Sequence, residues 1–264
     1  NRGVVASYVY QKPHHAPFVP VVECGFDLAD SPLLEARIGA GRIVLCQLDI
    51  TGRCGTGPVA RTLADNLVHS LGTRDHDAPP PKLATAGTGD RDMLNALSIA
   101  QSDTEPADAD IIIAGREKVP KTEGDAIERA VRDGATLLLL PGASLAPRFG
   151  LIEAPRRIFI ARVSKHSMVG GLSDRDLYLK QWEEIPCAAE ENGWHGLSDP
   201  AVLAVKPLGD GLVASCGLDP TVFEKTRHRA KALRVWNMIL ANLRVPRHSF
   251  RNILRPEAPA YEGN

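Results

Sequence analysis

Residues 39–51 read GAGRIVLCQLDIT, and residues 209–221 read GDGLVASCGLDPT. A shift of 170 positions lays Gly39 on Gly209, Gly41 on Gly211, Cys46 on Cys216, Leu48 on Leu218, Asp49 on Asp219 and Thr51 on Thr221, with Ile43 on Val213. Average composition would give about one identity in such a window. Upstream, DSPLLEARIGAG faces DPAVLAVKPLGDG after a one-residue adjustment. Both copies read as strand, tight turn at a glycine pair, strand, which is a hairpin signal. Downstream, each copy runs into a predicted amphipathic helix, PVARTLADNLVHSL from Pro58 and RHRAKALRVWNMILANL from Arg227. Proline suits a first helical position, and Val59, Leu63, Leu67 and Leu71 recur at helical spacing.

The repeat organises the chain. After the first helix comes GTRDHDAPPPK, residues 72–82, whose three consecutive prolines favour an extended spacer. A linker is therefore expected over 73–82, a complete second domain over 83–246 and a tail over 247–264. The second copy has residues 83–208 ahead of its hairpin, whereas 38 residues precede Gly39. On this reading residues 1–72 are the C-terminal part of a first domain, truncated at its amino end. Upstream domains of the same polypeptide, or a partner chain, would complete it.

Within the second unit, KLATAG (82–87), ADIIIAG (109–115) and ATLLLLPG (135–142) are apolar runs bounded by glycine, the pattern of strands buried on both faces. Between them, DRDMLNALSIA reads as a helix with Asp90 as its cap. KTEGDAIERAVRDG reads as a helix with Ile127, Ala130 and Val131 on one side and Gly134 as its stop. Alternating apolar strands and helices predict an α/β fold with a mostly parallel sheet and crossover helices, a three-layer flavodoxin-like domain. Shorter strands are expected after it, then the hairpin and final helix. Ligands of such sheets gather at the carboxyl ends of the strands. Those loops are GTGD (87–90), GREKVPK (115–121), PGASLAP (141–147) and LDPT (218–221).

Composition narrows the function classes. The net charge is -1 and aromatics make up 5% of residues, so neither a global basic field nor a base-stacking platform points to nucleic acid. No apolar run approaches the length of a membrane span. The five cysteines form no C-x-x-C pair, which argues against a zinc knot or a disulfide framework. No metal or cofactor site is expected.

The candidate site residues are few. Gly87-Thr88-Gly89 lacks the third glycine of a dinucleotide fingerprint and the Gly-Lys-Ser/Thr of a P-loop, so it reads as a turn. Ser144, after a buried strand, stands where a nucleophile elbow would be, but G-x-S-x-G is broken by Ala146 and Pro147. His166 is a candidate general base whose acid or nucleophile partner the sequence does not place. His14-His15 reads as a loop pair. Asp49 and Asp219 end matching strands, each two residues before a threonine; each could bind a ligand or close an Asx-turn. Trp182 and Trp194 could stack on sugar rings or be buried at a contact.

SPLLEARIGAGRIVLCQLDITGR, followed by Pro58 and the helix through Asn66-Leu67, resembles the end of class I glutamine amidotransferase-like domains. KHSMVGGLSDRDLYLKQW resembles another stretch of the same domains, and the likeness covers most of residues 1–245. Such domains are accessory to large bacterial glycoside hydrolases, notably family 2 β-galactosidase-like proteins. Active amidotransferases of the superfamily carry a nucleophilic cysteine in a glycine-rich elbow and a downstream histidine and glutamate. Loop 141–147 has no cysteine and no His-x-Glu follows in place. The resemblance thus implies the fold, an extracytoplasmic setting and a non-catalytic scaffold in a carbohydrate-active enzyme. A carbohydrate-binding module, a small Ser/His hydrolase and a homo-oligomer are the alternatives it leaves open.

Overall fold

In the computed structural model, residues 5–246 are described, apart from 7, 15–16, 26–27, 39–40, 73–78, 88–90, 100–101 and 224–225. The chain opens with β1 (Tyr10–Gln11), β2 (Phe18–Cys24), β3 (Asp30–Ile38) and β4 (Gly41–Cys46), a four-stranded antiparallel sheet. β3 is central: β2 lies along one edge, while β1 and β4 share the other. Helix α1 (Pro58–Gly72) follows.

After an irregular segment at 79–82, the chain alternates through β5 (Leu83–Ala86), α2 (Arg91–Ala96), β6 (Ile111–Ala114), α3 (Lys121–Arg132) and β7 (Thr136–Leu139). It continues with β8 (Glu153–Ile160), β9 (Arg162–Val163), β10 (Tyr178–Ala188), β11 (His195–Gly196), β12 (Ser198–Asp199), β13 (Leu203–Leu208), β14 (Gly211–Cys216) and α4 (Thr226–Asn242). A six-stranded sheet runs β11-β13-β14-β7-β6-β5. Its members β14, β7, β6 and β5 are parallel; β13 and β11 are antiparallel. The fold is α/β with a mixed sheet.

The apolar runs explain the central strands. Successive residues of a strand face opposite ways, so a run without polar positions must be covered on both sides. Ile112, Leu137 and Leu139 join one core with Ile127, Ala130 and Val131 of α3. Ile111, Ile113 and Leu138 join another with Leu94 of α2 and Trp236, Ile239 and Leu240 of α4. Helix α3 ends at Asp133, and Gly134 follows at φ 117°, a conformation that favours glycine. Asp90 lies outside the described residues.

The two hairpins agree pair for pair. Leu33↔Cys46 through Ile38↔Gly41 in the first match Leu203↔Cys216 through Leu208↔Gly211 in the second, always 170 positions apart. α1 and α4 likewise end 170 positions apart, at Gly72 and Asn242. Each hairpin also has a further antiparallel strand on its outer side, β2 on β3 and β11 on β13. On the other side the copies part: β14 continues into β7, whereas among the described residues β4 has β3 as its one strand partner.

The stretch after β7 departs from the expected short strands. β8 has 8 residues and β10 has 11, and they pair with each other as a separate two-stranded ribbon. A register shift between Tyr178 and Glu183 breaks the simple alternation that would have marked β10.

Candidate functional site

The parallel strands deliver four loops to one rim, and Arg116 ties three of them together. It follows Gly115 at the end of β6. Its Nε donates to the carbonyl of Pro141, beyond β7, at 2.9 Å, and its Nη2 pairs with the Asp219 carboxylate, beyond β14. Asp219 is buried and its other oxygen, Oδ1, accepts from the Thr221 amide at 2.8 Å and the Thr221 hydroxyl at 2.6 Å, an Asx-turn. The Glu117 amide donates to Gly87 O at 3.0 Å, which brings in the end of β5. Gly87 sits at φ 56°, and a Cβ there would lie 2.4 Å from Glu117 O, so this crossing requires glycine. Thr88 and Gly89 lie outside the described residues.

The candidate nucleophile and base are bonded elsewhere. Ser144 Oγ donates to Glu117 O at 2.5 Å. His166 Nδ1 accepts from the Met168 amide at 3.2 Å, capping a short helical turn. A Ser144–His166 pair would need a hydroxyl donated to the imidazole; each group is instead tied to backbone of its own neighbourhood. Two cysteines are likewise unsuited to attack. Burial pushes the Cys216 thiol up to about 12 and the Cys187 thiol up to about 11, far above the range where a thiolate forms at neutral pH.

Trp194 does not supply a sugar platform. It is 1% exposed, packed in the core beside Phe149, and its indole N–H donates to Phe149 O at 3.2 Å. Trp182 lies on β10, and its side chain is outside the described residues. Asp49, the counterpart of Asp219, pairs at 3.0 Å with Arg53 one helical turn on and is partly exposed. Of the candidates, then, Ser144 and Asp219 share the strand-end rim through Arg116 and Glu117, while His166, Trp194 and Asp49 lie apart from that network.

A second polar cluster joins the two repeats. Lys12, 1% exposed, pairs with Glu23 and lies 3.3 Å from Asp176, itself 2% exposed. Arg234 of α4 approaches the same Asp176 oxygen at 3.5 Å, and Ser173 donates its amide and hydroxyl to Asp176 Oδ2 at 2.9 and 3.0 Å. Asn237 of α4 adds a bond to Phe18 O of β2 at 2.9 Å. Sequence reasoning missed Lys12, Asp176 and Arg116. Lysine in QKPHH reads as a surface residue, and its partner is 164 positions away. For Arg116 a signal existed: its position in a strand-end loop. Among the described residues, no group of three or more His, Cys, Asp or Glu is placed to hold a metal, and no helix is long and apolar enough to cross a membrane.

No family model matches the chain, and no curated protein matches it. Among solved structures, it is similar to the cold-adapted β-galactosidase of Rahnella sp. R3 at 13% identity and TM-score 0.40, over 72% of this chain and 35% of that one. The β-galactosidase of Bacillus circulans sp. alkalophilus gives 13% and 0.41, over 70% and 34%. A cytoplasmic protein of Salmonella typhimurium gives 14% and 0.39, over 57% and 78%. The chain spans about a third of the length of these β-galactosidases. Likeness at this level assigns neither family nor function.

Proposed function

We propose that this chain is a non-catalytic scaffold region of a multidomain carbohydrate-active enzyme, built from a three-layer flavodoxin-like domain over 83–246 preceded by the later half of a second copy over 1–72. The observation that carries the reading is Arg116. Its guanidinium bridges the ends of β6, β7 and β14 at the rim where an α/β sheet presents its ligand. A rim bonded to itself in this way serves packing. The buried Lys12–Asp176–Arg234 cluster serves it too, because it locks the first repeat onto the helix of the second. The class of the parent enzyme comes from the resemblance of SPLLEARIGAGRIVLCQLDITGR and KHSMVGGLSDRDLYLKQW to accessory domains of glycoside hydrolases.

The test is turnover. The purified 264-residue chain is assayed with aryl glycosides and with glutamine over pH 5–9. No turnover above buffer is the expected result. Turnover of either substrate that disappears in Ser144→Ala or His166→Ala would overturn the scaffold reading.

A further inference from the structure

The hairpin register shows what the first repeat is built to receive. In the second repeat, Leu212, Val213, Ala214 and Ser215 of β14 lie in parallel register with Thr136, Leu137, Leu138 and Leu139 of β7. The Leu212 amide donates across that edge to Ala135 O at 3.2 Å. The residues 170 positions earlier are Arg42, Ile43, Val44 and Leu45 of β4. The Gln47 amide donates to Pro32 O at 2.8 Å, on the β3 side. Strand alternation then turns the amides of Arg42, Val44 and Cys46 to the opposite edge. Among the described residues, one bridge, Leu48 to Ala6, lies beyond the end of β4, and Gly41–Cys46 pair with β3 alone.

Burial and glycine placement point the same way. Val213 is 0% exposed and its counterpart Ile43 is 40% exposed. Buried residues fill α4, whereas α1 has none, and its Val59 and Val68 are 80% and 71% exposed. A Cβ on Gly211 would fall 2.1 Å from Val131 O and 2.3 Å from Ala135 O, because the last turn of α3 and the start of β7 press against the hairpin there. The first hairpin has glycine at the matching position, Gly41, and there it is exposed.

We infer that the open edge of β4, with Gly41 beside it, is a docking surface for a helix–turn–strand segment of a separate polypeptide, of the same build as α3–β7. Its strand adds parallel to β4 opposite Arg42–Leu45, and its preceding helix ends against Gly41. The partner's strand must be apolar on both faces, like TLLL, since one face meets α1. A second copy of this chain does not supply it, because α3 and β7 are already enclosed in their own core. The inference rests on reading residues 1–72 as half of an α/β unit.

The probe is a synthetic peptide of residues 121–141, spin-labelled in turn at its helix start and at its strand end, added to the intact 264-residue chain. Amide exchange and paramagnetic broadening are followed by NMR. The expected result is at least tenfold slower exchange of the Arg42, Val44 and Cys46 amides, with the strand-end label broadening Leu45 and Cys46 more than Gly41. Ile43→Lys should abolish the protection while leaving the thermal midpoint within a few degrees. Three outcomes would overturn the inference: no protection at millimolar peptide, an antiparallel broadening pattern, or equal protection without peptide that rises with protein concentration. None involves turnover, so failure here leaves the scaffold test standing, and the reverse holds.

Discussion

Hairpin Asp30–Cys46 and hairpin Leu203–Cys216 have the same register and lead to helices ending at matching positions, yet they are buried to different depths. β14 lies inside a six-stranded sheet with α4 packed on one face. β4 sits at an edge, and Ile43 is partly exposed where Val213 is enclosed. The difference teaches that local sequence specifies the hairpin and its turn, while neighbours supply the stability. Substitution at paired positions should therefore give unequal effects, and the inequality measures what the neighbours contribute.

The largest inequality is expected at Val213 and Ile43. Val213→Asp would bury a carboxylate with no partner and should cost about 4 kcal/mol or more, enough to unfold most marginal domains. Ile43→Asp should stay within about 0.5 kcal/mol, as for an exposed site. Urea titration of both variants, followed by tryptophan fluorescence and by circular dichroism, checks the pair. Equal costs would mean that β4 is as enclosed as β14, and the comparison would break.

Asp176 comes next, because it connects the repeats rather than stabilising either alone. Asp176→Ala removes the carboxylate from Lys12 and Arg234 and should cost about 3 kcal/mol, mainly by leaving buried cations short of a partner. The double change Lys12→Met with Asp176→Leu should recover part of that loss. Differential scanning calorimetry provides a sharper readout. A single transition in the parent chain should split in Asp176→Ala, with the first repeat melting at lower temperature.

The duplicated aspartates give a smaller contrast. Asp219 is buried, closes an Asx-turn and holds Arg116, so Asp219→Ala should cost about 2 kcal/mol. Asp49 makes a partly exposed pair with Arg53, and Asp49→Ala should cost under about 1 kcal/mol. Chemical denaturation of the two variants at one pH measures the ratio. Identical residues in a repeat would then carry different weights because one faces a completed sheet.

Much of this fold was legible in the residues. The glycine pairs located both turns, the apolar runs at 83–86, 111–114 and 136–139 marked the parallel strands, and Pro58 marked the first helix start. Those features are local, and periodicity or a single turn residue reports them. What escaped was long-range. β8 and β10 are exposed in part and shifted in register, so their pattern resembles a loop-rich stretch. Lys12 is buried by a partner 164 positions away, and Arg116 meets Asp219 across 103. The strand-end rim itself could be placed from loop positions, but its self-bonding depends on a contact that no spacing encodes.

The smallest expected effect concerns Glu153, which starts β8 and lies opposite Ala188, next to Cys187. Burial raises its carboxyl above the ordinary value of 4.5. The folded chain therefore holds this proton to higher pH than the unfolded chain does. Its stabilising contribution is complete below about 4.5 and declines as pH rises through the folded value. Glu153→Gln keeps the shape and removes the titration, so its thermal midpoint should exceed the parent's at pH 7 and equal it near pH 4. The Glu153 charge also adds to the rise of both neighbouring thiols, though burial dominates there. Cys187 and Cys216 should accordingly resist a thiolate-seeking reagent at pH 8 in the native parent and in Glu153→Gln alike, and react in both once urea unfolds the chain. Native labelling of either cysteine in the variant would show that the carboxylate, rather than enclosure by the completed second repeat, keeps the thiol protonated.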